Sequence, residues 1–137
     1  SAAKQILTRT VYIHFAPNRA DVNPKYDPNA DEVVKEIGRL ASQFGGSTIV
    51  ITGHADRSRF AEVKALGDAA LERHAGLVKD LSERRAQGVV TALKVKFPVF
   101  KDQSDRFVVQ GYGWDKPLST DALSRRVEIS VLSPEAE

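Results

Sequence analysis

Hydrophobic residues alternate with polar ones near the start of the chain. Val11, Ile13 and Phe15 follow this period of two, which predicts a half-buried strand. Prolines and short polar residues interrupt the pattern over 16–24 and predict a loop. Apolar residues then recur at every third or fourth position over 28–44, which predicts a helix that ends at Gly45-Gly46.

The middle of the chain predicts a buried strand followed by a long helical stretch. Residues 48–54 form a β-branched run that is nearly continuous in apolar character, which favours a central strand. Residues 57–97 are mainly helical in spacing, and Gly67 and Gly76 predict interruptions. Asp68 could cap one of the helical pieces, while Asp80 or Ser82 could mark a kink or a restart.

Two more strands are predicted, over 107–111 and 125–132, separated by a loop over 112–124. The resulting order β-α-β-α-β-β predicts an α/β (α+β) sandwich, in which helices pack on one four-stranded mixed sheet. An extra helical insert is expected around 57–80. We expect one domain over 1–137, with flexible ends at 1–8 and 133–137.

The composition limits the function classes. The 137 residues are 42% hydrophobic and 28% charged, as in an ordinary globular domain. A net charge of only +2, without a concentrated basic face, argues against a nucleic-acid partner. The absence of cysteine excludes disulfides and thiolate chemistry. The chain begins without methionine, so we expect a processed piece whose membrane association, if any, uses segments outside this chain.

Arg85 is the cation whose position in the sequence is hardest to explain as a surface residue. With 100° per residue and Leu81 at zero, Arg85 lies at about 40°, on the apolar stripe, while Arg84 lies off it at about −60°. A buried guanidinium needs an anionic partner or several acceptors. The pattern leaves two interpretations open, which are an internal salt bridge to Asp or Glu and an anionic ligand.

Asp56 ends the strand-like run and precedes a helical region. Ligands usually bind at the carboxyl ends of strands in open α/β sheets. An aspartate in this place also commonly caps the next helix or forms a turn. Together, Asp56 and Arg85 suit a ligand that carries both an ammonium and a carboxylate.

Evidence for a metal, a cofactor or catalysis is weak. His54 and Asp56 could supply two metal ligands and His14 a third, but the three histidines show no recognisable metal spacing. No serine elbow, phosphate-binding glycine loop or paired-carboxylate motif is present. We therefore expect no cofactor and no enzymatic activity. Trp114, the one tryptophan, could stack on a sugar or close the edge of the core.

Four fragments together resemble the OmpA-like peptidoglycan-binding domain family. They are Phe15–Asn18 with Ala20 and Val22, Gly53-His54-Ala55-Asp56, Leu81-Ser82-Glu83-Arg84-Arg85-Ala86, and Gly111-Tyr112-Gly113 through Pro117 to Arg125-Arg126-Val127-Glu128. The resemblance covers about residues 9–132. It implies a non-enzymatic domain of the periplasm that anchors a membrane or periplasmic protein to the cell wall.

The resemblance also implies a ligand. In this family the matching Asp and Arg hold the diaminopimelate of the peptidoglycan stem peptide, which assigns these roles to Asp56 and Arg85. Asn18, Arg125 and Arg126 match positions that line the family's cleft. Asp56 would then accept from the ligand ammonium, and Arg85 would bind its carboxylate.

The chain departs from the family pattern at several polar positions. Ala16, Ala55, Val78 and Ser124 replace the usual Asp, Thr, Asn and Asn, and the stretch between Asp56 and Arg85 is longer than usual. The insert within it could cover the cleft, extend it or mediate oligomerisation. An alternative function is therefore a protein–protein contact or homodimer made through the 57–80 insert.

Overall fold

One mixed four-stranded sheet forms the centre of the protein. The computed structural model describes residues 5–134. Its strands are β1 (Gln5–His14), β2 (Thr48–Gly53), β3 (Phe107–Gly111) and β4 (Arg126–Pro134), in the spatial order β1-β4-β2-β3. β4 runs antiparallel to both β1 and β2, whereas β2 and β3 are parallel.

Four helices complete the described part of the chain. They are α1 (Ala30–Gln43), α2 (Phe60–Ala65), α3 (Asp68–Lys96) and α4 (Asp121–Ser124), and two short 3₁₀ turns, Pro98–Asp102 and Ser104–Arg106, connect α3 to β3. The predicted fold class, an α/β (α+β) sandwich on a four-stranded mixed sheet with an extra helical insert around 57–80, is confirmed.

The core lies between one face of the sheet and the helices α1 and α3. Alternate residues of β2 such as Ile49 and Ile51 are fully buried, because successive side chains of a strand point to opposite faces. Ile37 of α1 and Leu93 of α3 are buried in the same cluster, as the helical spacing requires. This arrangement fixes α3 across the ends of the central strands.

The long helix differs from its prediction. Gly67 does separate α2 from α3, and with φ = 107° it takes the cap position for which Asp68 was predicted. The interruption predicted at Gly76 and the kink predicted at Asp80 or Ser82 are wrong, since α3 is continuous through all three. A glycine costs a helix only about 1 kcal/mol, so a long helix anchored by its other half tolerates Gly76.

The ends of several elements also shift. The helix predicted from residue 28 begins at Ala30, and β1 begins at Gln5, earlier than the alternating pattern indicated. The flexible ends predicted at 1–8 and 133–137 lie partly outside the described residues; positions 5–8 belong to β1, and 133–134 belong to β4. Within 5–134, no helix combines the length and apolar character needed to cross a membrane.

Candidate functional site

A cleft of about 180 Å3 opens where β2 ends and α3 passes over it. It brings together three of the predicted site residues, Asn18, Asp56 and Arg85. The other lining residues are Pro17, Ala55, Ser58, Arg59, His74, Val78, Leu81 and Trp114.

Gly53 allows α3 to approach the end of β2. A Cβ atom at this position would overlap the backbone carbonyl of Ser82 in α3, so a larger residue would push the helix away. The glycine of the Gly-His-Ala-Asp segment thus has a packing role. It lets Arg85, one helical turn after Ser82, reach the loop that carries Asp56.

The Asp56 carboxylate is held by its own turn and by Arg125. Its Oδ1 accepts from the Ser58 backbone N–H (3.0 Å) and from the Ser58 hydroxyl (2.7 Å), and its Oδ2 accepts from Arg125 Nη1 (3.1 Å). Partial burial raises the pKa of Asp56, but the hydrogen bonds from Ser58 and Arg125 outweigh it, and the net pKa lies below the ordinary value. Asp56 is therefore an anion at neutral pH.

Arg85 is buried, with 1% of its surface exposed, and it is held by backbone carbonyls. Its Nε donates to Arg19 O (2.8 Å), Nη1 to His54 O (2.9 Å) and Nη2 to Ala16 O (3.3 Å). These three bonds use three of the five N–H donors of a guanidinium. Burial lowers the pKa of Arg85 to about 10, so the group stays charged at neutral pH.

Asp56 and Arg85 share the cleft without pairing to each other. Within residues 5–134, no hydrogen bond or ion pair joins their side chains, since Arg125 takes the ion pair with Asp56. The internal salt bridge to Asp or Glu that was one interpretation of Arg85 is therefore wrong, and carbonyl acceptors take its place. The turn interpretation of Asp56 describes its contact with Ser58 correctly.

The remaining predicted site residues occupy different places. Asn18 lines the cleft with φ = 59°, a left-handed conformation that asparagine tolerates better than most residues. Arg125 lies behind Asp56, where it also donates to Phe15 O (2.9 Å) and to the Tyr26 hydroxyl (2.9 Å). The structure does not bring Arg126 to the cleft.

Arg126 belongs to a separate buried cluster. Its guanidinium forms an ion pair with Glu128 (2.7 Å) and donates to the Lys116 carbonyl (3.2 Å). His54 lies beside the same carboxylate, with Nε2 3.3 Å from Glu128 Oε2. Burial, together with the charge of Arg126, lowers the pKa of His54 to about 4.

The insert contributes Ser58, Arg59 and His74 to the cleft lining, and the sequence did not indicate their place in the site. Trp114 is 4% exposed and closes the edge of the core, stacked on His74 (5.1 Å between centroids) and in edge contact with Phe60 (5.1 Å). These contacts hold α2 and the start of α3 against the loop after β3. The signal available in the sequence was the unusual length of 57–80, which does not indicate which side chains face inward.

The departures from the family pattern have different structural consequences. The backbone carbonyl of Ala16 accepts a hydrogen bond from Arg85, a role that requires no particular side chain at position 16. The Ser124 hydroxyl accepts from Leu118 N (2.9 Å) and donates to Thr120 O (2.8 Å), so it fixes the loop before β4. Ala55 and Val78 line the cleft directly and make those parts of its wall apolar.

Metal binding finds no support in this geometry. Among the described residues, no group of three or more His, Asp or Glu side chains could hold a metal ion. His54 and Asp56 do not face a common site, since the His54 ring lies beside Glu128 and Asp56 pairs with Arg125.

The chain is similar to known proteins in sequence and in fold. A sequence model described as the OmpA family matches residues 14–128. No curated protein sequence matches the chain.

Solved structures share the fold. The OmpA-like domain of FopA1 from Francisella tularensis has a TM-score of 0.69 at 22% identity, over 99% of this chain and 85% of that chain. The peptidoglycan-associated lipoprotein from Burkholderia pseudomallei has a TM-score of 0.64 at 16% identity, over 88% of both chains. The cell wall anchor of the T6SS from Pseudomonas aeruginosa has a TM-score of 0.60 at 23% identity, over 94% and 87%. Since the family model spans most of the sequence, the chain belongs to the OmpA family.

Proposed function

We propose that this domain binds peptidoglycan non-covalently through the diaminopimelate of the stem peptide and so anchors its parent protein to the cell wall. As a member of the OmpA family, it is a non-enzymatic domain. The observation that carries the proposal is the presence of Asp56 and Arg85 in one cleft, charged and not paired with each other. We propose a periplasmic location, with any membrane attachment in segments outside this chain.

The two charges fit the free stereocentre of diaminopimelate, which carries an ammonium and a carboxylate. The ammonium would donate to Asp56, whose Oδ2 holds only the hydrogen bond from Arg125 among the contacts described. The carboxylate would accept the two N–H donors of Arg85 that the carbonyls leave over. The three carbonyl bonds prevent Arg85 from reorienting, so little conformational entropy is lost on binding.

Similar proteins support the cell-wall part of the proposal. The Burkholderia structure is named as a peptidoglycan-associated lipoprotein, and the Pseudomonas structure as a cell wall anchor. At 16% and 23% identity these likenesses support the shared fold. The choice of diaminopimelate comes from the family resemblance, and the charges of Asp56 and Arg85 are compatible with it.

The direct test is sedimentation of the domain with purified diaminopimelate-containing sacculi. We expect Asp56→Asn and Arg85→Lys to reduce the bound fraction sharply, because breaking a desolvated charge contact costs roughly 2–5 kcal/mol of affinity. Asp80→Asn and Arg84→Gln are matched controls. Both residues are exposed on α3, pair with each other (2.9 Å) and lie outside the cleft lining, so they should bind like the wild type.

Loss of folding must be separated from loss of binding. Arg85 supports the loop carbonyls of Ala16 and Arg19, so its variant will lose some stability as well. Asp56→Asn keeps an acceptor for Ser58 and changes mainly the charge. If folded Asp56→Asn protein, verified by its thermal transition, binds sacculi like the wild type, the proposed mode of binding is wrong.

A protein–protein contact through the insert is the second candidate. It is favoured by two exposed leucines of this region, Leu66 at 72% and Leu77 at 66% exposure. Light scattering of the domain and of a Leu66→Ser/Leu77→Ser variant tests it. A wild type that is dimeric and a double variant that is monomeric would support this function. A monomeric wild type would exclude the homodimer.

A further inference from the structure

The insert over 57–80 supplies one wall of the cleft. Ser58, Arg59, His74 and Val78 line the cleft from this wall. We propose that Arg59 binds a second carboxylate of the stem peptide, so that the cleft selects stem peptides that carry a free carboxylate beyond the one held by Arg85. This inference rests on the proposed function and assigns a specificity-determining residue within the same site.

The charges that line the cleft are unequal. Asp56 is the one carboxylate of the lining, whereas Arg59 and Arg85 are both guanidinium groups. An ammonium and one carboxylate from the ligand would satisfy Asp56 and Arg85 and leave Arg59 facing no ligand group. A ligand with one ammonium and two carboxylates matches the lining charge for charge, and such complementarity sets specificity.

Arg59 is free to contact a ligand at modest cost. Its side chain is 57% exposed, and it pairs with Glu62 through two contacts of 3.3 Å each. Exposed pairs of this kind contribute little to stability, so a ligand carboxylate can compete with Glu62 for the guanidinium. Glu62 does not itself line the cleft.

The backbone that carries Arg59 is fixed at the rim. Arg59 directly follows the turn in which Ser58 binds Asp56, and it immediately precedes α2. The next residue, Phe60, packs edge-on against Trp114. The backbone of Arg59 is therefore held in place beside the cleft. Arg59 is also only three residues after Asp56, whose carboxylate would bind the ammonium.

Two carboxylates at the C-terminal end of a stem peptide could fill this position. One is the second carboxyl of diaminopimelate itself, which is free when the peptide ends at that residue. The other is the terminal carboxylate of one further residue. Both present the same chemistry to Arg59, so four probes are needed: the tripeptide and the tetrapeptide, each with a free and with an amidated C-terminus.

The experiment is calorimetric titration of the domain with these four peptides at low salt, using wild type, Arg59→Gln and Arg73→Gln. Arg73 is the matched control, because it is exposed on the same insert and does not line the cleft. For one of the two peptide lengths, we expect the wild type and Arg73→Gln to bind the free acid roughly fivefold more tightly than the amide. This is the size of effect that an exposed charge pair produces. Arg59→Gln should lose that preference while still binding both forms.

The outcomes separate this inference from the proposed function. Equal binding of acid and amide by the wild type would overturn the role of Arg59 and leave the diaminopimelate site intact. An undiminished preference in Arg59→Gln would also overturn it. Failure of the wild type to bind any of the four peptides would refute the proposed function itself.

Discussion

The N-terminal and C-terminal halves of α3 differ in how deeply their side chains are buried. Its buried residues, from Ser82 to Leu93, all lie in the C-terminal half, whereas 68–80 contributes none and exposes Leu77. The C-terminal half holds the fold together and presents Arg85 to the cleft. The N-terminal half belongs to the insert and presents His74 and Val78 to the same cleft. A single helix thus joins a structural anchor to one wall of the cleft.

The largest expected difference concerns apolar contacts in the two halves. Leu93→Ala should lower the free energy of unfolding by roughly 2–5 kcal/mol, because Leu93 is fully buried in the core. Leu77→Ala removes the same atoms from an exposed site and should change the free energy of unfolding by less than about 0.5 kcal/mol. Urea denaturation measures both, and equal losses would contradict the division of α3.

The junction between the halves should show an intermediate effect. The buried Ser82 hydroxyl donates to Lys79 O (2.7 Å) and accepts from Gly113 N (2.9 Å), so it ties α3 to the loop after β3. Ser82→Ala leaves the Gly113 N–H without this acceptor and should cost roughly 1–3 kcal/mol. Ser42→Ala, at an exposed position of α1, is the control and should be near neutral in the same denaturation assay.

A third effect is a dependence of stability on pH through His54. Its pKa is about 4 in the folded protein, below the ordinary 6.5, because of burial and the charge of Arg126. The unfolded chain therefore binds more protons between these values, and stability falls as pH decreases through that window. We expect a loss of roughly 2 kcal/mol between pH 7 and 5.

A pair of histidine variants isolates this pH effect. His54→Gln should flatten the slope of unfolding free energy against pH, whatever its effect on stability at pH 7. His74→Gln removes a different imidazole, which packs on Trp114, and is the matched control for the substitution itself. A slope that survives in His54→Gln would show that another group is responsible.

The sequence predicted the parts of the fold that depend on local pattern. The alternation in β1, the β-branched run of β2 and the apolar stripe of α1 each identified an element, because burial of one face imposes a period. The angular position of Arg85 on α3 correctly placed it on the buried side for the same reason. The first half of α3 was predicted less well, since a helix without a buried face has no such period.

The contacts within the site depended on neighbours that are distant in sequence. Arg125 pairs with Asp56 across 69 positions, and Arg85 bonds to Ala16 across the same separation. Every residue type has a backbone carbonyl, so carbonyl acceptors cannot be recognised from the sequence. The sequence around Arg85 is therefore equally compatible with a salt bridge and with a cluster of carbonyl acceptors. The position of Arg59 at the cleft rim likewise depends on how Phe60 of α2 packs against Trp114.

A structure of the domain with a diaminopimelate-containing stem peptide tests the central claim most directly. We predict that the free ammonium lies within about 3 Å of an Asp56 carboxylate oxygen and that the adjacent carboxylate lies at the same distance from the Arg85 guanidinium. A ligand bound elsewhere, or one that contacts the cleft without touching either residue, would contradict the account.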